Sequence, residues 1–302
     1  MVRISTTKFA LLCFTVFGIT AMHILFSCDN QDSQNVKSVH QQHEVKKENQ
    51  VVKESKEPDN TWQAQKLAVI VPFRDRFEEL MVFIPWIHKF LNAQKIPHKL
   101  VVVNQVDMHR FNRASLINIG YLMSKDECDY LVMHDVDLLP NNPDLLYRYH
   151  PDGPYHLASP EYHPMYHYKT YIGGVLMMTN EHFKLCRGMS NIFWGWGRED
   201  DELFLRYKDN QLKLYRPTGL TTGYDTFKHI HNKERRPRDY NRYGDQKKVQ
   251  FKRDVETGFD TVQYSLESKR TISIDEAQVT IYNVELQCDK DKTPWCDHGK
   301  RS

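Results

Sequence analysis

Tyr130-Leu131-Val132-Met133-His134-Asp135-Val136-Asp137 decides how this chain folds, because a five-residue apolar run ends abruptly on two carboxylates. Such a run suits a strand buried on both faces. Two more precede it: Lys66-Leu67-Ala68-Val69-Ile70-Val71-Pro72, and Lys99 to Val106. Between the first pair, Arg76 to Leu91 carries apolar residues at helical spacing, with Pro85 expected to kink or split the helix. Asn112 to Ser124 reads as a second helix, with Asn112 as its N-cap. Strand, helix, strand, helix, strand predicts an α/β fold built on a parallel, doubly wound sheet, in which ligands bind beyond the carboxyl ends of the strands. Arg74-Asp75-Arg76 and Asp135-Val136-Asp137 both fall at such ends and can converge.

Working outward, the pattern after Pro151 is mixed. A Tyr/His-rich loop leads to an apolar strand at Ile172 to Met178, a Gly/Trp-rich turn, an acidic helix start, and alternating strands near Thr261 to Leu266 and Gln278 to Val284. No internal repeat is visible. The chain has 302 residues, 40% of them hydrophobic, enough for one substantial core and tethering segments. One catalytic domain is expected. A formal charge of +2 gives no general argument for a nucleic-acid partner.

Phe9 to Phe26 is an uncharged run flanked by Arg3 and Lys8 before it and Asp29 and Asp32 after it. It reads as a membrane span with a cytoplasmic N-terminus. The organisation expected is a cytoplasmic tail at residues 1–8, a signal anchor at 9–27, a disordered stem at 28–65 and a luminal catalytic domain at 66–302. A cleaved signal peptide, or a lipoprotein-like Leu25-Phe26-Ser27-Cys28, would export the same body. An oxidising lumen permits disulfides, and a Cys288–Cys296 bridge would staple the polar C-terminal tail, while Cys128 and Cys186 are either paired or buried thiols. The chain has no Asn-x-Ser/Thr sequon.

Three segments carry chemistry. Asp135-Val136-Asp137 at a strand end can hold a hard divalent cation against a diphosphate. The rival reading is a phosphohydrolase nucleophile, but Leu138-Leu139-Pro140 stands where that motif wants a small or hydroxyl-bearing residue. In Phe193-Trp194-Gly195-Trp196-Gly197-Arg198-Glu199-Asp200-Asp201-Glu202, glycines allow a tight turn and indoles offer flat surfaces for sugar rings. Its acidic residues open a helix, whose N-terminus favours ionised carboxylates, and one of them is a candidate base for a sugar hydroxyl. His229-Ile230-His231 puts two imidazoles on one side of an extended segment, a spacing that suits one metal ion. The basic run 232–248 after it reads either as solvated surface or as a lid over an anionic ligand.

With these residues in view, the chain resembles the β-1,4-galactosyltransferase family over about Lys66 to Leu286. The motifs are Pro72-Phe73-Arg74-Asp75-Arg76, Phe111-Asn112-Arg113-Ala114, Asp135-Val136-Asp137, Tyr171-Ile172-Gly173-Gly174-Val175, and the Trp194 to Glu202 run. The resemblance implies a GT-A glycosyltransferase fold, a Rossmann-like mixed sheet flanked by helices. It implies a type II Golgi anchor, UDP-galactose as donor, inversion at the anomeric carbon, and Mn2+ as cofactor. Carried onto matching positions, it implies donor contacts from Pro72, Phe73, Arg74, Arg76, Phe111, Arg113, Asp135, Val136, Asp137, Gly174, Trp196 and Glu199. Asp200 becomes the general base, with Asp201 also on the acceptor side, and Asp137, His229 and His231 become the metal ligands.

Two departures narrow the resemblance. Members acting on N-acetylglucosamine have Met-x-x-His at the metal, where this chain has Phe227-Lys228-His229-Ile230-His231, and Arg198 replaces a glycine before Glu-Asp-Asp. Both features resemble the branch that galactosylates xylose on a proteoglycan core protein. That branch implies an acceptor pocket of Tyr166, Tyr168 and Trp196, tight enough to exclude larger hexoses. The alternatives are an enzyme acting on N-acetylglucosamine and a sugar-binding relative without catalysis.

Overall fold

The computed structural model describes residues 61–297. The expected tail, the anchor and nearly all of the stem lie outside the described residues. Among the described residues no helix is long and apolar enough to cross a membrane.

The sheet grows from β1 (Leu67–Phe73), every residue of which is buried. It pairs in parallel with β2 (His98–Gln105) on one side and β3 (Tyr130–His134) on the other. Crossovers are made by α1 (Phe77–Ala93) and α2 (Arg113–Leu122). Asn112 caps α2 as its sequence position predicts, its side-chain oxygen accepting a hydrogen bond from the Ser115 amide at 3.0 Å. Helix α1 runs unbroken through Pro85, so the proline does not split it. The carbonyl that Pro85 leaves without a donor belongs to Met81, which is exposed, so water can satisfy it.

The parallel arrangement holds only for the middle of the sheet. Its full order is β5-β6-β3-β1-β2-β9-β8, where β5 is Tyr155–His156, β6 Val175–Thr179, β8 Tyr264–Ile274 and β9 Ala277–Leu286. Strand β9 continues the parallel set beside β2, whereas β6 runs antiparallel to β3, and β8 antiparallel to β9. The last pair is a hairpin turned at Asp275, whose φ of 52° is the left-handed conformation such a tight turn requires. The sheet is therefore mixed, with strands from both halves of the chain.

A separate ladder joins β4 (Leu138–Pro140) to β7 (Phe227–His229), antiparallel, with Leu138 opposite His229. Two further helices follow: α3 (Asn180–Leu185), directly after β6, and α4 (Glu199–Asp209), whose first residues line the site. Cys128 and Cys186 are separate buried thiols, and burial pushes both above the ordinary thiol pKa, to about 11 and about 12. Cys288 and Cys296 lie within bonding distance, with Cα atoms 6.1 Å apart.

Apolar side chains on α1 (Leu80, Phe83, Ile84, Ile87 and Leu91) pack with β1, β2 and β9 in one cluster. Phe83 is fully buried, its ring 4.7 Å from that of His134 at the end of β3. Phe83→Ala is expected to cost about 3–5 kcal/mol of folding stability, read by urea denaturation of the catalytic body.

Candidate active site

A cavity of about 600 Å3 opens where the carboxyl ends of β1 and β3 meet the β4–β7 ladder and the start of α4. That size suits a nucleotide sugar. Pro72, Arg74, Arg76, Phe111, Arg113, Asp135, Val136, Asp137, Gly174, Glu199, Asp200 and Asp201 line it, as do Tyr166, Tyr168, Trp196, His229 and His231. One expected donor residue does not. Phe73 is the last residue of β1, where strand alternation turns it inward, and it is 1% exposed with its ring edge-on to Phe77 at 5.2 Å.

Arg74 reaches the cavity, yet its guanidinium is committed elsewhere. It donates to the carbonyls of Gln105, His109 and Asp107 at 3.2, 2.6 and 3.0 Å, which ties the end of β2 to that of β1. Burial pulls its pKa down, and the Asp107 carboxylate beside it only partly compensates. Arg74 thus shapes the wall rather than offering free donors.

The ladder register places the carboxylate against the imidazoles. The Ile230 amide donates to the Asp137 carbonyl at 2.9 Å, and Asp137 Oδ2 lies 3.2 Å from His231 Nδ1 and 3.8 Å from His229 Nε2. The two rings stack at 17° with centroids 5.6 Å apart. Arg76 Nη1 is 3.0 Å from His231 Nδ1 and 3.5 Å from Asp137 Oδ2. Burial tends to raise the Asp137 pKa, but contact with His231 and the nearby His229 and Arg76 outweigh it and hold the carboxyl below its ordinary value. Burial also lowers His229, favouring the neutral ring that ligates metals.

His231 Nε2 is buried without a hydrogen-bond partner, and one carboxylate with two imidazoles is a donor set that accepts a divalent ion such as Mn2+. A tighter cluster, His109, Cys288, Cys296 and Asp297, has its ligand atoms within 4.8 Å of one another. Its sulfurs are at bonding distance and His109 already pairs with Asp297 at 2.6 Å, so it offers no open donor set.

Across the cavity, Arg113 binds Asp135 through Nε and Nη2 at 2.9 and 2.8 Å and faces Glu199 at 4.0 Å. Burial works against this guanidinium, but Asp135, Glu199 and Asp200 together hold it firmly charged. Asp200 sits one residue into α4, where it accepts from the Asp201 amide at 3.0 Å. Burial, followed by repulsion from Glu199 and Asp201, raises its pKa to about 7, although a helix N-terminus by itself favours the ionised form. Gly173 permits this placement, since a Cβ there would meet Asp200 Oδ2 at 2.7 Å.

Another wall of the cavity is aromatic. The Tyr171 ring is tilted against Tyr166 and edge-on to Tyr168, with centroids 5.2 and 5.3 Å away, and Trp196 lies tilted to Tyr166 at 6.4 Å. Arg238, from the basic segment after His231, hydrogen-bonds the Tyr166 hydroxyl and lies 5.1 Å over the Trp196 ring. Tyr171, Arg238 and His163 also line the site, although the sequence reading gave none of them an individual role. Nδ1 of His163 accepts from the amides of Met165 and Tyr166, both at 2.9 Å, so it braces the tyrosine loop. Clustering of Tyr and His from His163 to Tyr171 was the available signal.

A mixed α/β sheet with a carboxylate–imidazole cluster and an acidic helix start facing each other across one cavity defines a GT-A glycosyltransferase. Residues 26–150 match the N-terminal region of glycosyl transferase group 7, and residues 153–230 match a galactosyltransferase domain described as N-terminal. The chain belongs to the β-1,4-galactosyltransferase family. It is 55% identical to β-1,4-galactosyltransferase 7 of Mus musculus over 243 residues, covering 80% of this chain and 74% of that protein. It is 47% identical to xylosylprotein 4-β-galactosyltransferase of Caenorhabditis elegans over 237 residues, 76% and 82% of the two chains. The crystal structure of a Drosophila β-1,4-galactosyltransferase 7 mutant complexed with manganese, UDP-Gal and xylobiose superposes with a TM-score of 0.76 at 51% identity, covering 77% of this chain and 99% of that one.

Three outcomes follow from this geometry. Asp200→Asn is expected to lower kcat by about 10²–10⁴-fold with the fold retained, and wild-type kcat/KM is expected to fall on the acid side of a pKa near 7, as the Asp200 carboxylate becomes protonated, in a pH–rate profile. Gly173→Ala is expected to displace the same carboxylate and lower kcat by about tenfold or more, measured beside a circular-dichroism control.

Proposed function

We propose that this chain transfers galactose from UDP-galactose, with inversion, to the 4-hydroxyl of xylose O-linked to serine on a proteoglycan core protein. The product is the first galactosyl unit of a glycosaminoglycan linker. The observation that carries this reading is that Asp200, the aromatic group of Tyr166, Tyr168 and Trp196, and the Asp137–His229–His231 cluster all line one cavity. The crystal structure of the Drosophila relative in complex with manganese, UDP-Gal and xylobiose supports it.

Asp137, His229 and His231 would hold Mn2+, which when bound supplies Lewis-acid neutralisation of the diphosphate leaving group. Arg76, beside the same cluster, adds positive charge where the phosphates gather. Pro72 and Phe111 supply apolar surface toward the base, and Gly174, with φ of 75°, keeps the backbone close to the donor. Val136 and Asp135 complete that wall, with Asp135 fixed by Arg113. Glu199 orients galactose, and Asp201 orients the acceptor. Asp200 takes the proton from the xylose 4-hydroxyl as its oxygen attacks galactose C1, and the C1–O bond to UDP breaks. Near-neutral basicity suits a carboxylate for that transfer. Trp196 and Tyr168, partly exposed at the cavity mouth, stack on the acceptor ring.

The anchor at residues 9–27 places the catalytic body in the Golgi lumen as a single-pass type II protein, a reading supported by the uncharged Phe9 to Phe26 run and its flanking charges. That oxidising compartment suits a Cys288–Cys296 disulfide. Xylose lacks the exocyclic hydroxymethyl group, so the close Tyr166–Trp196 approach favours it over N-acetylglucosamine.

Purified catalytic body with UDP-galactose, Mn2+ and an aryl β-xyloside is expected to release UDP, and EDTA is expected to stop the release. Strong turnover on an N-acetylglucosaminide with none on the xyloside would assign the chain to the alternative acceptor.

A further inference from the structure

The loop that precedes Phe111 contributes a fully buried guanidinium to no part of the reaction described above. Arg110 is 1% exposed, and its donors are divided among segments far apart in sequence. Nε donates to Asp239 Oδ2 at 2.6 Å, Nη2 to the Asn241 carbonyl at 2.8 Å, and Nη1 to Gln246 Oε1 at 2.8 Å and to the Trp295 carbonyl at 3.1 Å. The ring of Tyr243 lies 4.9 Å from its Cζ. Three of these partners, Asp239, Asn241 and Gln246, belong to the basic segment 232–248.

The same segment grips the Trp-Gly turn. The Trp196 amide donates to the Asp239 carbonyl at 2.9 Å, Arg242 Nη2 donates to the Trp196 carbonyl at 2.8 Å, and Gln246 Nε2 donates to the Trp194 carbonyl at 2.9 Å. Gly195, at φ of 82°, passes so close that a Cβ would lie 2.1 Å from Arg110 Nη2. From below, the Arg110 amide donates to the Cys296 carbonyl at 2.7 Å, which brings the C-terminal loop into the assembly.

We propose that Arg110 is a positioning residue for the acceptor site: it seats segment 239–246 against the Trp194–Gly197 turn and thereby fixes the indole of Trp196. The inference rests on Trp196 facing the acceptor. A charged group buried this completely is tolerated because each direction of the guanidinium fork meets an acceptor, and a lysine could satisfy only some of them. Loss of the clamp frees the loop and the turn together, because each is bonded to the other through Asp239. The Asp137–His229–His231 cluster is untouched, because its register is set by the β4–β7 ladder.

Arg110→Lys and Asp239→Asn test this in two ways. Limited trypsin digestion, with no substrate present, is expected to cut after Arg242 about tenfold faster in both variants than in the parent, with the rest of the body resistant. In steady state, both variants are expected to raise acceptor KM about tenfold while kcat and the UDP-galactose KM stay within about twofold. A merely structural role would instead lower kcat through loss of folded protein and leave both KM values unchanged, and that result overturns the proposal. Unchanged cleavage at Arg242 in both variants also overturns it. The digestion requires no acceptor, so it answers the question about Arg110 even if the parent enzyme fails to use the xyloside, an outcome that would count against the acceptor assignment alone.

Discussion

The short ladder between β4 and β7 is the constraint on which the site depends. Three residues pair with three, and that register alone sets His229 opposite Leu138 and brings Asp137 to both imidazoles. A slip of one residue would turn the histidines to the other face, because side chains alternate along a strand. The ladder is short, but it is well anchored: Leu138, Leu139 and Phe227 are buried in the largest core cluster. Hydrophobic packing therefore fixes a polar geometry that the polar groups could not fix alone.

Opposite the ladder, the electrostatics are arranged by counting charges. Four consecutive carboxylates begin α4, and one guanidinium, Arg113, is shared between Asp135 and Glu199. Asp200 is left without an ion-pair partner of its own, and burial with two acidic neighbours raises it to the range a proton acceptor needs at neutral pH. Arg198 shows that this helix start is held under some strain. Its φ of 80° suits glycine, and the residue is retained with its guanidinium 3.9 Å from the Phe251 ring centroid and 3.6 Å from Asp201.

The aromatic wall depends on a different kind of support. Tyr166 and Trp196 come from separate loops and meet through Arg238, and the loops themselves are braced by His163 and by the buried fork of Arg110. Loops that bear binding residues are usually the least stable parts of a fold. Here the bracing groups are buried side chains, so the cavity mouth has a defined shape although Trp196 is 39% exposed.

Sequence by itself determined much of this protein. Apolar runs at Leu67, Lys99 and Tyr130 give strands because continuous burial leaves them no solvent face, and the Asn112 cap needs only its own next turn. Asp-x-Asp, His-x-His and the Trp-Gly-Trp-Gly run were legible because each gathers its polar or aromatic groups within a few consecutive positions. Only the tertiary structure decided the antiparallel edges of the sheet, the tolerance of Pro85, the inward turn of Phe73 and the commitment of Arg74 to backbone carbonyls. Each depends on which groups, distant in the chain, take up a hydrogen bond or exclude water. The roles of Arg110, His163 and Arg238 were hidden for the same reason: an arginine or histidine acquires its function from the partners that folding brings to it.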